Sequence, residues 1–254
     1  MNLAKLVPLL MTLWAFPMCC TAATITVVAD RWEPYNGEPK SSRPGYAIEI
    51  VEKIFQSAGH EISYSLLPWK RAIQLTRQGR YNAIIGSYKE DAPDFIFPEE
   101  EIGISDNAFF VRKGEPWRYQ GLESLKGKTI GLIMGYNYGQ ELDPFLQRHT
   151  QYIQYAYGAD PLEININKLL YKRFDLLLEN SIVLTHKASR MGVSNDIEYA
   201  GRTEHIHKIY LAFSPRDNQS TNYAALVTRG IRELRQSGVL QQILDRYGLK
   251  DWKE

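Results

Sequence analysis

Cysteine is nearly missing from this chain. It has two, Cys19 and Cys20, side by side near the start. Beyond residue 20 there is no thiol, which excludes a disulfide, a Cys-ligated metal and a Cys nucleophile from the remainder. An excess of one charge is missing too: 30 Lys+Arg face 29 Asp+Glu, with no basic run. That excludes the electrostatic footprint of a nucleic-acid binder or of a protein held on an anionic membrane surface. There is no Ser-x-x-Lys, no His-Glu-x-x-His and no phosphate loop. No motif therefore points to a catalytic residue, a metal or a cofactor. The apolar run at residues 6–16 is short for a membrane span.

That run follows Lys5 and precedes Thr21-Ala22-Ala23, a small-residue cleavage site. Residues 1–23 therefore read as a secretory signal peptide cut after Ala23. Acylation at Cys19 or Cys20 is the minor alternative, and Pro17-Met18 suits it poorly. Removal of Lys5 leaves 29 basic residues against 29 acidic. What is present, 44% hydrophobic and 23% charged residues over 254 positions, suits a globular protein of one large or two modest domains.

Residues 24–29 are apolar and β-branched, too short for a helix, and end in a turn cluster, so they read as a buried strand. Residues 45–59 carry Ala47, Ile50, Val51, Ile54 and Phe55 at helical spacing, with Gly59 as the stop. Residues 62–66 alternate as a strand does, residues 69–78 form a helix behind Pro68, and residues 82–86 form a strand. This β-α-β-α-β order implies a parallel sheet covered by helices. Residues 90–101 break the rhythm as an acidic loop, expected to be a solvated rim over Phe95 and Phe97. Residues 108–112 form a strand. A second β-α-β-α-β run follows: strands at 129–133, 153–157 and 175–178, helices at 139–148, 161–171 (capped by Asp160) and 181–190. A strand at 210–213 and helices at 222–236 and 239–247 end the chain.

Asp30, Trp32 and Tyr35 leave the first strand in a Pro- and Gly-punctuated loop. In open α/β sheets ligands sit outside the carboxyl ends of strands, and an aromatic there can stack on a ligand. Packing of both rings into a strand–helix loop is the competing reading. His205 and His207 share one strand face, but without further donors they are a weak metal site.

Taken together, Trp32-x-Pro-Tyr35, Gly45-Tyr-Ala-Ile-Glu49, Gly79-Arg-Tyr-Asn-Ala-Ile-Ile85, Ser124-Leu-Lys-Gly-Lys-Thr-Ile-Gly131 and the 235–248 tail resemble bacterial extracellular solute-binding proteins of family 3, the polar amino-acid-binding type. The resemblance implies an α/β fold of two lobes, the type II periplasmic-binding-protein fold. Each lobe is a mainly parallel sheet flanked by helices, and two crossover strands form the hinge. Residues 24–112 and 208–254 would be lobe 1, and 113–207 lobe 2. The implied role is that of a periplasmic monomer that captures a small solute and presents it to an ABC transporter permease or a membrane sensor. No nucleic acid, metal or cofactor is implied.

Carried over residue by residue, the resemblance puts the stacking aromatic on Trp32, the acid before it on Asp30, and the ligand-facing hydroxyl on Ser87. The anion-binding turn of lobe 2 falls on Gly135-Tyr136-Asn137. The Arg that usually clamps a ligand carboxylate has no counterpart, since Ala92, Pro93 and Asp94 stand there. The Asp that usually takes the ammonium aligns with Asn180, with Glu179 beside it. Arg71, on the helix that Trp69 opens, is the replacement cation of choice. Tyr35, Trp69, Tyr88 and Tyr138 complete the expected ligand-binding set. A ligand with an amine and an acidic group, held by Trp32, Arg71, Ser87, Asn137 and Asn180, is the resulting expectation. Some relatives in the family are cyclohexadienyl dehydratases. An enzyme of that kind would need Glu33 or Glu179 as an acid with its pKa raised by burial beside Trp32.

Overall fold

The computed structural model describes residues 22–253; most of the segment expected to be a signal peptide, with both cysteines, lies outside them. In chain order the elements are β1 (Thr24–Ala29), α1 (Tyr46–Ser57), β2 (Glu61–Leu66), α2 (Trp69–Arg77), β3 (Ala83–Ser87), β4 (Gly103–Arg112), β5 (Ile130–Ile133), α3 (Gly139–Arg148), β6 (Ile153–Ala156), α4 (Pro161–Leu170), β7 (Leu176–Glu179), α5 (Ser181–Met191), β8 (Ile197–Phe213), α6 (Ser220–Gln236) and α7 (Val239–Asp245).

The eight strands form one sheet in the order β2-β1-β3-β8-β4-β7-β5-β6. On one side β1 pairs in parallel with β2 and β3. On the other, β5 pairs in parallel with β6 and β7. Each half thus places its first strand between its second and third, and the two sequence blocks fold alike. The antiparallel pair β4–β8 joins them. The end of β8 pairs with β3, and β4 pairs with β7, so the chain crosses between halves along both strands.

The helices form where the apolar period demands. Ala47, Ile50, Val51, Ile54 and Phe55 of α1 are all buried, and each large aliphatic so buried is worth about 1.5–3 kcal/mol. Gly230 of α6 lets that helix lie against Ile54, which would be 2.7 Å from an added Cβ. Asp160 caps α4 by accepting from the Glu163 N–H, with Pro161 in the first turn, as expected.

Two expectations need correction. β8 runs for 17 residues, not only over 210–213, and β4 begins at Gly103 rather than at 108. Most of the extra residues are polar or glycine. Pairing with each other supplies backbone bonds that their own strand propensity does not favour. The acidic loop is not all rim either: Glu101 is buried, accepting from the Trp252 indole and pairing with Lys208 and Lys253. Phe95 does pack beneath the loop, and Phe97 is partly buried.

Candidate functional site

The carboxyl ends of β1, β3, β5 and β7 converge on one cavity of about 30 Å³. The loop after β1 contributes Asp30 and Trp32. The end of β3 and the loop beyond it contribute Gly86, Tyr88 and Asp91, and the start of α2 contributes Trp69. From the other half come Tyr136, Asn137 and Tyr138 after β5, and Glu179 and Asn180 at the end of β7. Asn107 on the crossing strand β4 lies between them. The volume is small beside the roughly 300–1,000 Å³ of ordinary ligand pockets. A solute the size of an amino acid enters only if the halves part or the side chains move.

Polar bonds tie the halves together across this cavity. The Tyr136 hydroxyl donates to Asp30 Oδ2 at 2.5 Å. The Trp32 indole N–H donates to Glu179 Oε1 at 3.2 Å. Asn180 Nδ2 donates to the Tyr35 hydroxyl at 3.2 Å and to Ser105 Oγ at 2.8 Å. Tyr88 also donates to Ser105 Oγ, at 2.8 Å, so a serine of the crossing strand β4 is shared by both halves. At the rim Arg190 and His186 face Glu33.

Gly86 shapes the wall. Its φ is +91°, in the region that favours glycine, and the β3–β8 register shifts there. An added Cβ would stand 3.0 Å from Asn36 Oδ1 and 3.7 Å from the Trp32 ring. A bulge at this point re-aims the chain beside the site.

The charge in the cavity is of one sign. Asp30, Asp91 and Glu179 line it, together with aromatic rings and asparagines; among the described residues no Lys, Arg or His does. Burial pushes the Asp30 carboxyl up to about 6 against the pull of the Tyr136 hydrogen bond. Burial likewise pushes Glu179 up to about 7, opposed by the Asn180 N–H and the Trp32 indole and reinforced by the charges on Asp30 and Asp106. Asp91 also rises to about 7, again mainly by burial, with Glu90, Asp30 and Asp143 adding to it. Glu179 is 3% exposed, and its Oε2 is buried without a hydrogen-bond partner.

Of the residues expected from the sequence, Asp30, Trp32, Trp69, Tyr88, Asn137, Tyr138, Glu179 and Asn180 line the cavity. The others do not. Tyr35 is 1% exposed and stacks behind Trp32, centroids 4.3 Å apart, with its hydroxyl on the Ile104 carbonyl at 2.6 Å. It backs the indole, so packing and site geometry are combined in one loop. Ser87 is fully buried and donates to the Tyr88 carbonyl at 2.8 Å, so its hydroxyl does not face the cavity. Arg71 is exposed and lies outside the lining, because the buried face of α2 is built on Trp69, Ala72 and Thr76. Asn180 lines the cavity with a saturated side chain: Oδ1 caps α5 by accepting from the N–H groups of Ile182 and Val183.

Asp91 and Asn107 went unrecognised in the sequence. Asp91 sits in the acidic loop and resembles its solvated neighbours. Asn107 is polar in a strand that its own residues do not announce; it donates to the Tyr138 carbonyl at 2.7 Å. His205 and His207 do meet, ring centroids 4.5 Å apart. Among the described residues no group of three potential metal ligands forms.

A sequence profile of bacterial extracellular solute-binding proteins, family 3, matches residues 25–250. The "Probable amino-acid-binding protein YxeM" of Bacillus subtilis (strain 168) is 19% identical over 226 residues, covering 86% of this chain and 81% of that one. Among solved structures, a histidine kinase sensor domain with similarity to periplasmic binding proteins superposes with a TM-score of 0.73 at 21% identity, covering 88% of this chain and 95% of the other. The amino acid ABC transporter substrate-binding protein AbpA of Streptococcus pneumoniae, bound to L-arginine, gives 0.69 at 16% identity, covering 89% and 94%. At these identities the superpositions speak for the fold.

Proposed function

The chain belongs to the bacterial extracellular solute-binding proteins, family 3, and from that premise we propose that it is a periplasmic protein which captures a small amine-bearing solute between its halves. Delivery to an ABC transporter permease completes the proposal. The hinge is placed at β4 and β8, with residues 24–112 and 208–254 as one lobe and 113–207 as the other. The observation that carries the reading is the cavity itself, built from the facing strand ends of both halves and bridged by Tyr136–Asp30 and Trp32–Glu179. A solute that replaces those self-contacts holds the halves together through its own bonds, which is how a hinged protein converts binding into a shape its partner can read. Docking on a membrane sensor is the alternative use of the same closure, consistent with the sensor-domain neighbour.

Native mass spectrometry of protein purified without denaturation tests the reading. A low-mass adduct that disappears in Trp32→Ala is expected. A bare chain in both proteins, even after incubation with a broad solute panel, contradicts it.

One observation favours a second reading. Glu179 is a carboxyl raised to about 7 by burial, with Trp32 against it, as a dehydratase acid would need. The cavity's charge opposes that reading, because a cyclohexadienyl dicarboxylate would meet Asp30, Asp91 and Glu179 and no cation. Phenylpyruvate formed from prephenate, and lost in Glu179→Gln, would establish it.

A further inference from the structure

We propose that the solute is an organic cation without a carboxylate, an amine or quaternary ammonium compound held by an aromatic cage with Glu179 as its counter-ion. The inference rests on the solute-capture reading and narrows it.

Three features converge. First, Glu179 lines the cavity and carries a buried oxygen, Oε2, with no hydrogen-bond partner, while Oε1 accepts from the Trp32 indole and the Asn180 N–H. Buried polar groups are almost always satisfied, and a buried carboxylate is costly unless it is paired. Second, Trp32, Trp69, Tyr88, Tyr136 and Tyr138 line the same small space. Ring faces attract cations, most strongly where water is excluded. Third, among the described residues no Lys, Arg or His lines the cavity to balance an anion. Arg71 is outside, the Ser87 hydroxyl is bonded to the Tyr88 carbonyl, and the Asn180 amide is engaged with Ser105 and Tyr35. An α-amino acid would bring its carboxylate against Asp30 or Asp91 without compensation. A cation instead supplies the charge that these acids lack, and their mutual repulsion falls as it binds.

Calorimetric titration with matched pairs tests this: cadaverine against lysine, agmatine against arginine, and choline against glycine betaine, with glucose and succinate as neutral and anionic controls. Within the pairs that bind, the member without the carboxylate is expected to be tighter by about tenfold or more, the scale of one charge-assisted contact. Glu179→Gln is expected to weaken the best amine by about tenfold or more. Asp30→Asn serves as the second variant, in case the first does not fold. Tighter binding of the amino-acid members, or of a control, overturns the cation inference and leaves solute capture standing. Unchanged amine affinity in both variants also overturns it. Absence of heat from every compound overturns the inference and removes solute capture of these classes with it.

Discussion

Glu179 carries the sharpest consequence at the scale of single residues. Its carboxyl sits at about 7 in the folded protein, above the ordinary value of 4.5. Folding therefore disfavours the charged form. The cost is fully present above pH 7, shrinks as pH falls through 7 toward 4.5, and is gone below that. At about 1.4 kcal/mol per pH unit of displacement, the upper bound is about 3 kcal/mol. Glu179→Gln imitates the protonated acid. It should raise stability at pH 8 by about 1–3 kcal/mol and change little at pH 5. Thermal melts at the two pH values check this, and an equal effect at both would contradict it. Asp30 and Asp91 act in the same direction. Legibility at this scale was uneven. Asp30 and Trp32 could be read because a turn cluster follows a buried strand. Arg71 misled because helix position alone does not say which face is buried. Ser87 misled because a hydroxyl can be spent on its neighbour's carbonyl.

At the scale of elements, the bulge at Gly86 is the feature most exposed to test. Gly86→Ala forces a Cβ into a positive-φ position, at a cost of about 1–2 kcal/mol, and crowds Asn36 and the Trp32 ring. A fall in Tm of several degrees, with weakened solute binding, is expected; unchanged melting and binding would mean that the bulge does not shape the wall. Helices and parallel strands were legible because each buries one periodic apolar face. The long crossing strands were not. β8 carries Gly201, Arg202, Glu204 and His205 along a partly exposed stretch, and the start of β4 holds Asp106 and Asn107. These residues are strands because β4 and β8 pair with each other where the two halves join. The fact that fixes them is tertiary, and no local pattern records it.

At the scale of the whole molecule, the contacts between halves differ in kind. The Glu33–Arg190 pair lies at the rim with its Arg 58% exposed, where an ion pair contributes about 0–1 kcal/mol and is screened by salt. Arg190→Ala should leave stability nearly unchanged. Tyr136→Phe removes a part-buried bond to Asp30 and should let the solute-free halves part. Small-angle scattering should then show a larger radius of gyration for Tyr136→Phe than for Arg190→Ala. The reverse order would place the closure at the rim rather than in the cavity.

Where the solute lands is the central question, and the indole N–H resonances of Trp32, Trp69, Trp117 and Trp252 report on it in one spectrum. Trp32 and Trp69 line the cavity, whereas the Trp117 indole donates to the Ser124 carbonyl and that of Trp252 to Glu101, outside the lining. With signals assigned by single Trp→Phe variants, titration of a ¹⁵N-labelled sample with the bound solute should move the Trp32 and Trp69 signals and leave Trp117 still. Movement of Trp117 or Trp252 with Trp32 and Trp69 unmoved would contradict the account.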